Sequence, residues 1–529
     1  MGSNSSTFEK SRAEMNVFEA LLKARSKFGG KREVILDADD RVLTYDELVL
    51  ASFALGSALK QSAGSGKSVG VMLPTGAGSI ISFFALSAYG RVPAMLNFTS
   101  GIRNLRGAIR AGQITHVVTA HKFIELAELG GLVEALQDDV TFIYLEDVRE
   151  NLKPVDKIRG AIGTVAPWLI RSKPSPDATC VILFTSGTEG DPKGVALSHT
   201  NIVSNVQQVV AHVSDILTPD QIIFNPLPTF HCFGLTAGAI LPILSGIKTV
   251  LYPSPLHVKE IPKRIAETGA TILFATDTFI SQYVRASGGD DLKGLQYAVC
   301  GAERVKDETR QLVSRVSGVV IIEGYGVTEA SPVVAVNQPA RNRPGTVGTP
   351  LAGVELDFRP VEGIRDAGCL LIRGPNIMKG YILGEEPGRV QPLKDGWHDT
   401  GDVVGKDEEG CLVVKGRIKR FAKLGGEMVS LTVVENCASA VWPDHNHAAA
   451  VLPDKRKGEQ IILLSTNPNA DRADMSHWIQ NHGVTELSIP RRIFYVEEIP
   501  LLGSGKMDIG SVQRIAADLL RKLTPTPSM

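Results

Sequence analysis

Short apolar runs of strand length recur along this chain with helix-length segments between them, and that alternation limits its fold more than any other feature. The runs lie at residues 69–73, 116–119, 141–145, 249–252, 271–275 and 297–300, and Pro74 closes the first of them. Strands that are apolar throughout, with helices between, predict an α/β architecture around a largely parallel sheet. Apolar periodicity around Val17, Leu21 and Leu22 predicts a helix, residues 33–36 a strand, and residues 45–60 and 78–89 two more helices. From about Val347 the texture changes to short strands at 354–358, 369–372 and 411–414, punctuated by Gly and Asp, as in an antiparallel β subdomain. A fresh small α/β stretch begins after Arg420, with strands expected at 448–451 and 460–464. Cores stop growing well short of 529 residues, so more than one domain is required.

The 56 basic and 57 acidic side chains leave a formal charge of -1, which argues against nucleic acid as the main partner. No two of Cys180, Cys232, Cys300, Cys369, Cys411 and Cys437 stand at metal-ligand or redox spacing. They are expected as buried, reduced thiols of a reducing compartment, and the chain as cytoplasmic. The polar start lacks the apolar stretch of a signal peptide, and Met1-Gly2 with Ser6 reads as a chance match to the myristoylation pattern. The most apolar helix-like run, 79–89, is stopped by Gly90 and Arg91 and is too short to span a bilayer. Membrane contact therefore reduces to a peripheral place at the inner membrane. Residues 157–173 carry Trp168 and several basic side chains, as an interfacial element would, but Pro167 weakens a helix there and a surface loop is expected.

Four strings carry chemistry. In Ile182-Leu-Phe-Thr-Ser-Gly-Thr-Glu-Gly-Asp-Pro-Lys-Gly194 an apolar strand runs into a loop of Ser, Thr and Gly with one Lys. Glycines let a backbone approach phosphate oxygens, hydroxyls and amides donate, and Lys193 adds a point charge. The spacing of Gly187 and Lys193 is not that of a Walker A loop. The others are Gly324-Tyr-Gly-Val-Thr-Glu329, Asp395-Gly-Trp-His-Asp-Thr-Gly-Asp402 with Arg417 beyond it, and Leu501-Leu-Gly-Ser-Gly-Lys506. Taken singly, each reads as a loop, a turn or a solvated charge.

Together and in this order they resemble the acyl-adenylate-forming superfamily of acyl-CoA synthetases, peptide-synthetase adenylation domains and luciferases, with matching segments from about Tyr45 to Lys506. The resemblance implies an α/β protein. Its large N-terminal domain of α/β subdomains plus a small β subdomain, residues 1–418, would be hinged about Lys419 to a small mobile α+β C-terminal domain, residues 419–529. It implies ATP with Mg²⁺, and a thiol as the final acceptor. Thr185, Ser186, Gly187, Thr188 and Lys193 would hold the phosphates. Gly301, Ala302 and Glu303 would floor the adenine pocket, and Gly324, Tyr325 and Gly326 would stack the purine. Thr328 would stand near the α-phosphate, and Glu329 would hold the metal. Asp402 would accept both ribose hydroxyls, as a two-oxygen carboxylate can, with Arg417 opposite. Lys506 would bridge the carboxylate and the α-phosphate, two anions that repel until a cation lies between them. After adenylation the small domain would turn and bring Gly425, Gly426 and Glu427 to a thiol tunnel.

The stretch from Asn225 through Phe230, His231 and Phe233 into the apolar residues 236–251 matches the acyl pocket of that family, with His231 as the aromatic gate and Val327 beside it. Gly234 and Gly238 on a helix would leave room for an acyl chain. No charged residue awaits an amino group in this stretch, so a fatty acid of medium or long chain fits better than an amino acid. Residues 253–257, 279–283, 420–431 and 500–506 look like the bacterial acyl-[acyl-carrier-protein] synthetase module, which in many bacteria is fused to a lysophospholipid acyltransferase. Here the chain begins directly with the adenylating portion, which puts the phospholipid reaction in doubt. Acyl carrier protein (ACP), being acidic, would dock on basic residues, for which Lys455, Arg456, Lys457, Arg491 and Arg492 are candidates, although residues 420–529 hold 12 basic and 12 acidic side chains. The expected activity is an acid–thiol ligase that passes a fatty acyl group to the phosphopantetheine thiol of ACP. CoA is the rival acceptor. A non-catalytic adenylation fold used for binding and an acid-primed peptide-synthetase domain are the readings from other classes.

The assignment of Lys506 to one half-reaction has a direct test. Lys506→Ala should cut acyl-AMP formation by on the order of 10²-fold or more and spare thioester formation from supplied acyl-AMP. Equal losses in both half-reactions would contradict the two-conformation scheme.

Overall fold

The structure, a computed structural model, describes residues 8–64, 66–185, 191–424, 427–454, 458–501 and 507–523. Two large sheets organise the N-terminal part. In one, the parallel strands Glu33–Asp37, Lys248–Leu251, Ile222–Asn225, Ile272–Ala275, Tyr297–Cys300 and Val320–Gly326 lie side by side in that order. Antiparallel strands Val42–Thr44 and Val333–Val336 flank them, and Thr349–Pro350 adds an edge beyond the latter. In the other, Thr141–Tyr144, His116–Thr119, Ser68–Val71, Val92–Met95 and Thr179–Thr185 run parallel. The antiparallel strands Lys193–Ser198, Gly380–Ile382 and Val390–Pro392 complete that sheet.

The strands read from apolar runs are present, most within a residue or two of their expected bounds. The expected helices run Val17–Phe28, Tyr45–Ser62 and Ala77–Ala88. Helix Tyr45–Ser62 starts on a capping box, in which Thr44 and Glu47 exchange side-chain and backbone hydrogen bonds. Helix Ala77–Ala88 is apolar nearly all round because it is buried on all sides. Its Phe84 and Phe83 pack edge to face at 5.2 Å, and Phe18 and Phe53 do the same at 5.0 Å, within one core that joins both sheets.

The subdomain foreseen after Val347 is an antiparallel sheet of Glu355–Val361, Ile364–Arg373, His398–Lys406 and Leu412–Arg417. The C-terminal part has its own sheet, in which His447–Asp454 and Gly458–Ser465 pair antiparallel, and its own apolar clusters against helices Leu431–Val441, Arg472–Asn481 and Ile509–Leu523. Arg420, 9% exposed, belongs to that part: it donates to the Ala449 carbonyl at 3.0 Å and pairs with Glu435 at 2.5 Å. All six cysteines are buried and free.

One segment departs from expectation. Residues 157–173 are not a loop throughout: helix Pro154–Val165 and the 3₁₀ turn Pro167–Leu169 occupy most of them up to Leu169, and 170–173 are irregular. Pro167 lies past the helix end, where it interrupts no hydrogen bond, and Pro154 sits in the first turn, where its missing N–H is not needed.

His199 opens helix His199–His212, and its Nδ1 accepts the backbone N–H of Val17 at 3.2 Å. Burial pushes its pKa from 6.5 down to about 4. Between those values the unfolded chain binds a proton that the folded one refuses, so stability falls as pH drops through that window and is whole above it. The loss should reach about 2 kcal/mol near pH 4.5. Thermal unfolding at pH 7 and pH 4.5 should show a smaller pH effect in His199→Gln than in the parent, and equal pH effects would refute the assignment.

Candidate active site

Ligands of open parallel sheets bind beyond the carboxyl ends of the strands, and Gly324-Tyr-Gly-Val-Thr-Glu329 stands at such an end. Strand Val320–Gly326 carries Gly324, Tyr325 and Gly326 at its end, and a 3₁₀ turn, Thr328–Ala330, follows Val327. The Tyr325 hydroxyl donates to Asp402 Oδ2 at 2.6 Å. Asp402 Oδ1 lies 3.1 Å from Arg417 Nε. Asp402 and Arg417 are direct partners across the antiparallel pair His398–Lys406 and Leu412–Arg417, so register alone brings the ions together. The Asp402 N–H donates to Thr400 Oγ1 at 3.1 Å, which fixes the turn around the acid.

Asp402 is 5% exposed. Burial pushes its carboxyl up, while Arg417 and the Tyr325 hydroxyl pull it back and nearby Glu329 pushes it up again. Burial, with Asp402 adding to it, holds the Tyr325 phenol well above its usual range, so it remains a donor. Each oxygen of Asp402 has one partner and keeps a lone pair, the capacity that a vicinal diol would use.

The second half of the site comes from the other large sheet. Thr185 and Lys193 are cross-strand partners at the mouth of the hairpin Thr179–Thr185/Lys193–Ser198. The expected strand-to-loop passage is thus a strand-to-strand return, with Lys193 on the second strand. Ser186, Gly187 and Thr188 lie outside the described residues. Tyr381, on the neighbouring strand Gly380–Ile382, donates its hydroxyl to Glu329 Oε1 at 2.6 Å. Lys193 Nζ stands 5.2 Å from the centre of the Tyr381 ring, and His398 meets that ring edge-on at 6.2 Å. Burial pushes His398 below its ordinary pKa, so it is neutral at pH 7. Neither Tyr381 nor His398 was legible as a site residue. His398 sits inside the Asp395–Asp402 string and reads there as a turn, and Tyr381 has no local signature.

Among the described residues no group of three or more His, Cys, Asp or Glu could hold a metal ion. Glu329, with one oxygen held by Tyr381 and no hydrogen bond to the other among the described residues, fits a Mg²⁺ that arrives on triphosphate oxygens and needs one or two protein carboxylates.

The acyl side is built differently from its expectation. Phe233–Ile240 is a π-helix, hydrogen bonded i to i+5, rather than an α-helix. The space over Gly234 and Gly238 is already filled: a Cβ there would lie 2.3 Å from the Pro228 carbonyl oxygen and 2.3 Å from Asn225 Nδ2, respectively. These glycines therefore admit the chain's own backbone and the buried Asn225, not an acyl chain. A Cβ on Gly301 would touch the Phe233 ring at 3.3 Å, so the π-helix reaches the adenine side. Ala302 adopts a φ of 67°. Glu303 accepts the Thr278 N–H at 3.1 Å and the Thr278 hydroxyl at 3.0 Å, which fixes its acid against helix Asp277–Ala286. Phe123, Phe98, Phe230 and His231 form an aromatic row, each 4.9 Å from the next.

Lys419 lies in the 3₁₀ turn Ile418–Arg420 between the two parts of the chain, and Glu427 starts strand Glu427–Ser430. Gly425, Gly426, Lys455, Arg456, Lys457 and Lys506 lie outside the described residues. Arg491 is engaged with Asp454 at 2.6 Å and Arg492 is exposed. No described helix is long and apolar enough to cross a membrane.

Comparison with known proteins agrees with this geometry. The family model "AMP-binding enzyme" matches residues 22–382. A long-chain-fatty-acid–CoA ligase of Bacillus subtilis (strain 168) is 27% identical over 524 residues, covering 92% of this chain and 90% of that protein. A medium-chain fatty-acid–CoA ligase of Escherichia coli (strain K12) is 30% identical over 366 residues, 66% of this chain and 62% of that one. The crystal structure of an anthranilate CoA ligase in complex with anthranoyl-AMP superposes with a TM-score of 0.81 at 21% identity, covering 96% of this chain and 99% of its own, a likeness of fold. With more than half of its length matched, this chain belongs to the AMP-binding enzyme family, the adenylate-forming ligases.

Proposed function

We propose that this chain is an ATP-dependent fatty acid–CoA ligase. The observation that carries the adenylating part is the convergence of Tyr325 and Arg417 on buried Asp402, one turn of chain from Glu329 and its partner Tyr381. The cluster offers a nucleotide an aromatic ring, a carboxylate for the ribose and a second carboxylate for Mg²⁺. Apolar, uncharged surroundings from Phe230 to Ile240 suit an aliphatic acid. CoA as acceptor, in place of the ACP expected from the sequence, is supported by relatives named as long- and medium-chain fatty-acid–CoA ligases. The basic docking idea for ACP loses support at Arg491, which Asp454 holds.

In the reaction the fatty carboxylate attacks the α-phosphorus of ATP, the bond to the bridging oxygen of the β-phosphate breaks, and pyrophosphate leaves; Glu329 would hold the Mg²⁺ that offsets the phosphate charge. The CoA thiolate then attacks the acyl carbonyl, AMP leaves, and the thioester remains. Asp402 and Tyr325 orient the nucleoside, so the α-phosphorus is presented in one direction. Lys193, at the mouth of the hairpin, adds positive charge on the phosphate side, and Thr185 and Thr328 add hydroxyl donors. Lys506 supplies the bridging charge of the first step. Tyr381 acts through Glu329: its hydrogen bond fixes the carboxylate rotamer and leaves the other oxygen for the metal.

Two measurements follow. With a panel of fatty acids, thioester yield at matched acceptor concentrations should be high with CoA and low with holo-ACP. The reverse would restore the carrier-protein reading, and an absence of pyrophosphate release with every acid would favour a binding protein. Tyr381→Phe should raise the Mg²⁺ concentration needed for half-maximal pyrophosphate release roughly tenfold, as loss of a partner that orients a metal ligand does. An unchanged Mg²⁺ requirement would remove Glu329 from the metal.

A further inference from the structure

Helix Pro154–Val165 turns its apolar side chains to solvent and its small and polar ones to the core. Val155, Ile158, Ile162 and Val165 fall on one face by their spacing, and they are 42%, 56%, 39% and 81% exposed. Trp168 and Leu169, in the turn that follows, are 63% and 68% exposed. The opposite face is inward for physical reasons. Asp156, 2% exposed, accepts the Ser57 hydroxyl at 2.6 Å, the Gln61 amide at 3.3 Å and the Lys153 N–H at 3.2 Å. Gly160 and Gly163 let the helix press onto helix Tyr45–Ser62, where a Cβ would lie 3.2 Å from Ala54 Cβ and 2.4 Å from the Phe53 ring, respectively. The helix therefore cannot roll to bury its aliphatic face.

Within residues 153–173 the charges are predominantly basic, although Arg171 is paired with Glu19 of helix Val17–Phe28 at 3.4 Å. Between Lys153 and Lys173 the basic residues are Lys153, Lys157, Arg159, Arg171 and Lys173, and the only acidic one is the buried Asp156. Lys157 and Lys173 are exposed, as are the aliphatic stripe and Trp168.

We propose that this face docks on an anionic lipid membrane, with helix Pro154–Val165 and the turn Pro167–Leu169 lying in the plane of the interface. Aliphatic side chains enter the acyl boundary, the indole settles at headgroup depth, and lysines reach the phosphates along their own stems. A protein partner fits less well, because lysine is depleted from protein interfaces and a protein surface would ask for both signs of charge. The inference stands on this helix alone and does not depend on which acid or thiol the enzyme uses.

The test is cosedimentation of the full chain with phosphatidylglycerol vesicles and with phosphatidylcholine vesicles, read together with pyrophosphate release as a check of the fold. The parent should bind phosphatidylglycerol more tightly than phosphatidylcholine and lose part of that binding in high salt. The pair Ile158→Glu and Val165→Glu should lower the bound fraction by about tenfold or more while pyrophosphate release is kept. If that pair does not fold, Lys157→Glu should weaken phosphatidylglycerol binding, and Trp168→Phe should remove most of the vesicle-induced blue shift of fluorescence. Three outcomes overturn the proposal: a parent that binds neither vesicle, folded variants that bind like the parent, or a parent dimer in solution that the Ile158→Glu and Val165→Glu pair dissociates, which would assign the face to a second copy.

Discussion

The hydrogen bond from Tyr325 to Asp402 ties the architecture to the chemistry. A carboxylate that is 5% exposed is costly unless its oxygens are met. Here one oxygen is met from the nine-stranded sheet and the other from the neighbouring strand of the small antiparallel sheet. The Tyr381–Glu329 bond repeats the arrangement between the two large sheets. The site thus draws on three sheets, and its polar groups also link those layers. Removing a site residue is therefore expected to disturb packing as well as chemistry.

That dual duty explains which parts were readable from the sequence. Parallel strands such as Ile272–Ala275 and Tyr297–Cys300 are buried on both faces, so they show as short apolar runs. Strand His398–Lys406 begins with His-Asp-Thr-Gly-Asp, whose polarity reads as a turn. It is a strand because Thr400, Asp402 and His398 find their partners in the tertiary structure. Tyr381 was illegible because its contact with Glu329 spans 52 residues and no local pattern marks it. The fate of Gly234 and Gly238 shows the converse. A glycine signals a close approach, but only coordinates tell whether a ligand or the chain's own backbone makes it. For helix Pro154–Val165 a proline two positions past the end was mistaken for one inside.

The small C-terminal part has its own sheet and apolar clusters, and Arg420 and Glu435 anchor its first residues inside it. Among the described residues some side-chain bonds cross the turn Ile418–Arg420, which has Lys419 at its centre. Lys423 to Glu362 at 3.1 Å and Ser430 to the Lys415 carbonyl at 3.1 Å are two that do. The Lys423–Glu362 pair is exposed, so exchanging it for water costs little, whereas Ser430 is buried.

The central claim is that Asp402 is the ribose acceptor of an adenylating site. It is tested most directly by fatty-acid-dependent exchange of labelled pyrophosphate into ATP and into 2′-deoxy-ATP, in the parent and in Asp402→Ala. The account predicts that the parent prefers ATP clearly over the deoxy analogue, and that Asp402→Ala exchanges poorly and no longer distinguishes the two. A parent that uses both nucleotides alike, or an Asp402→Ala variant that keeps full exchange and full preference, would contradict it.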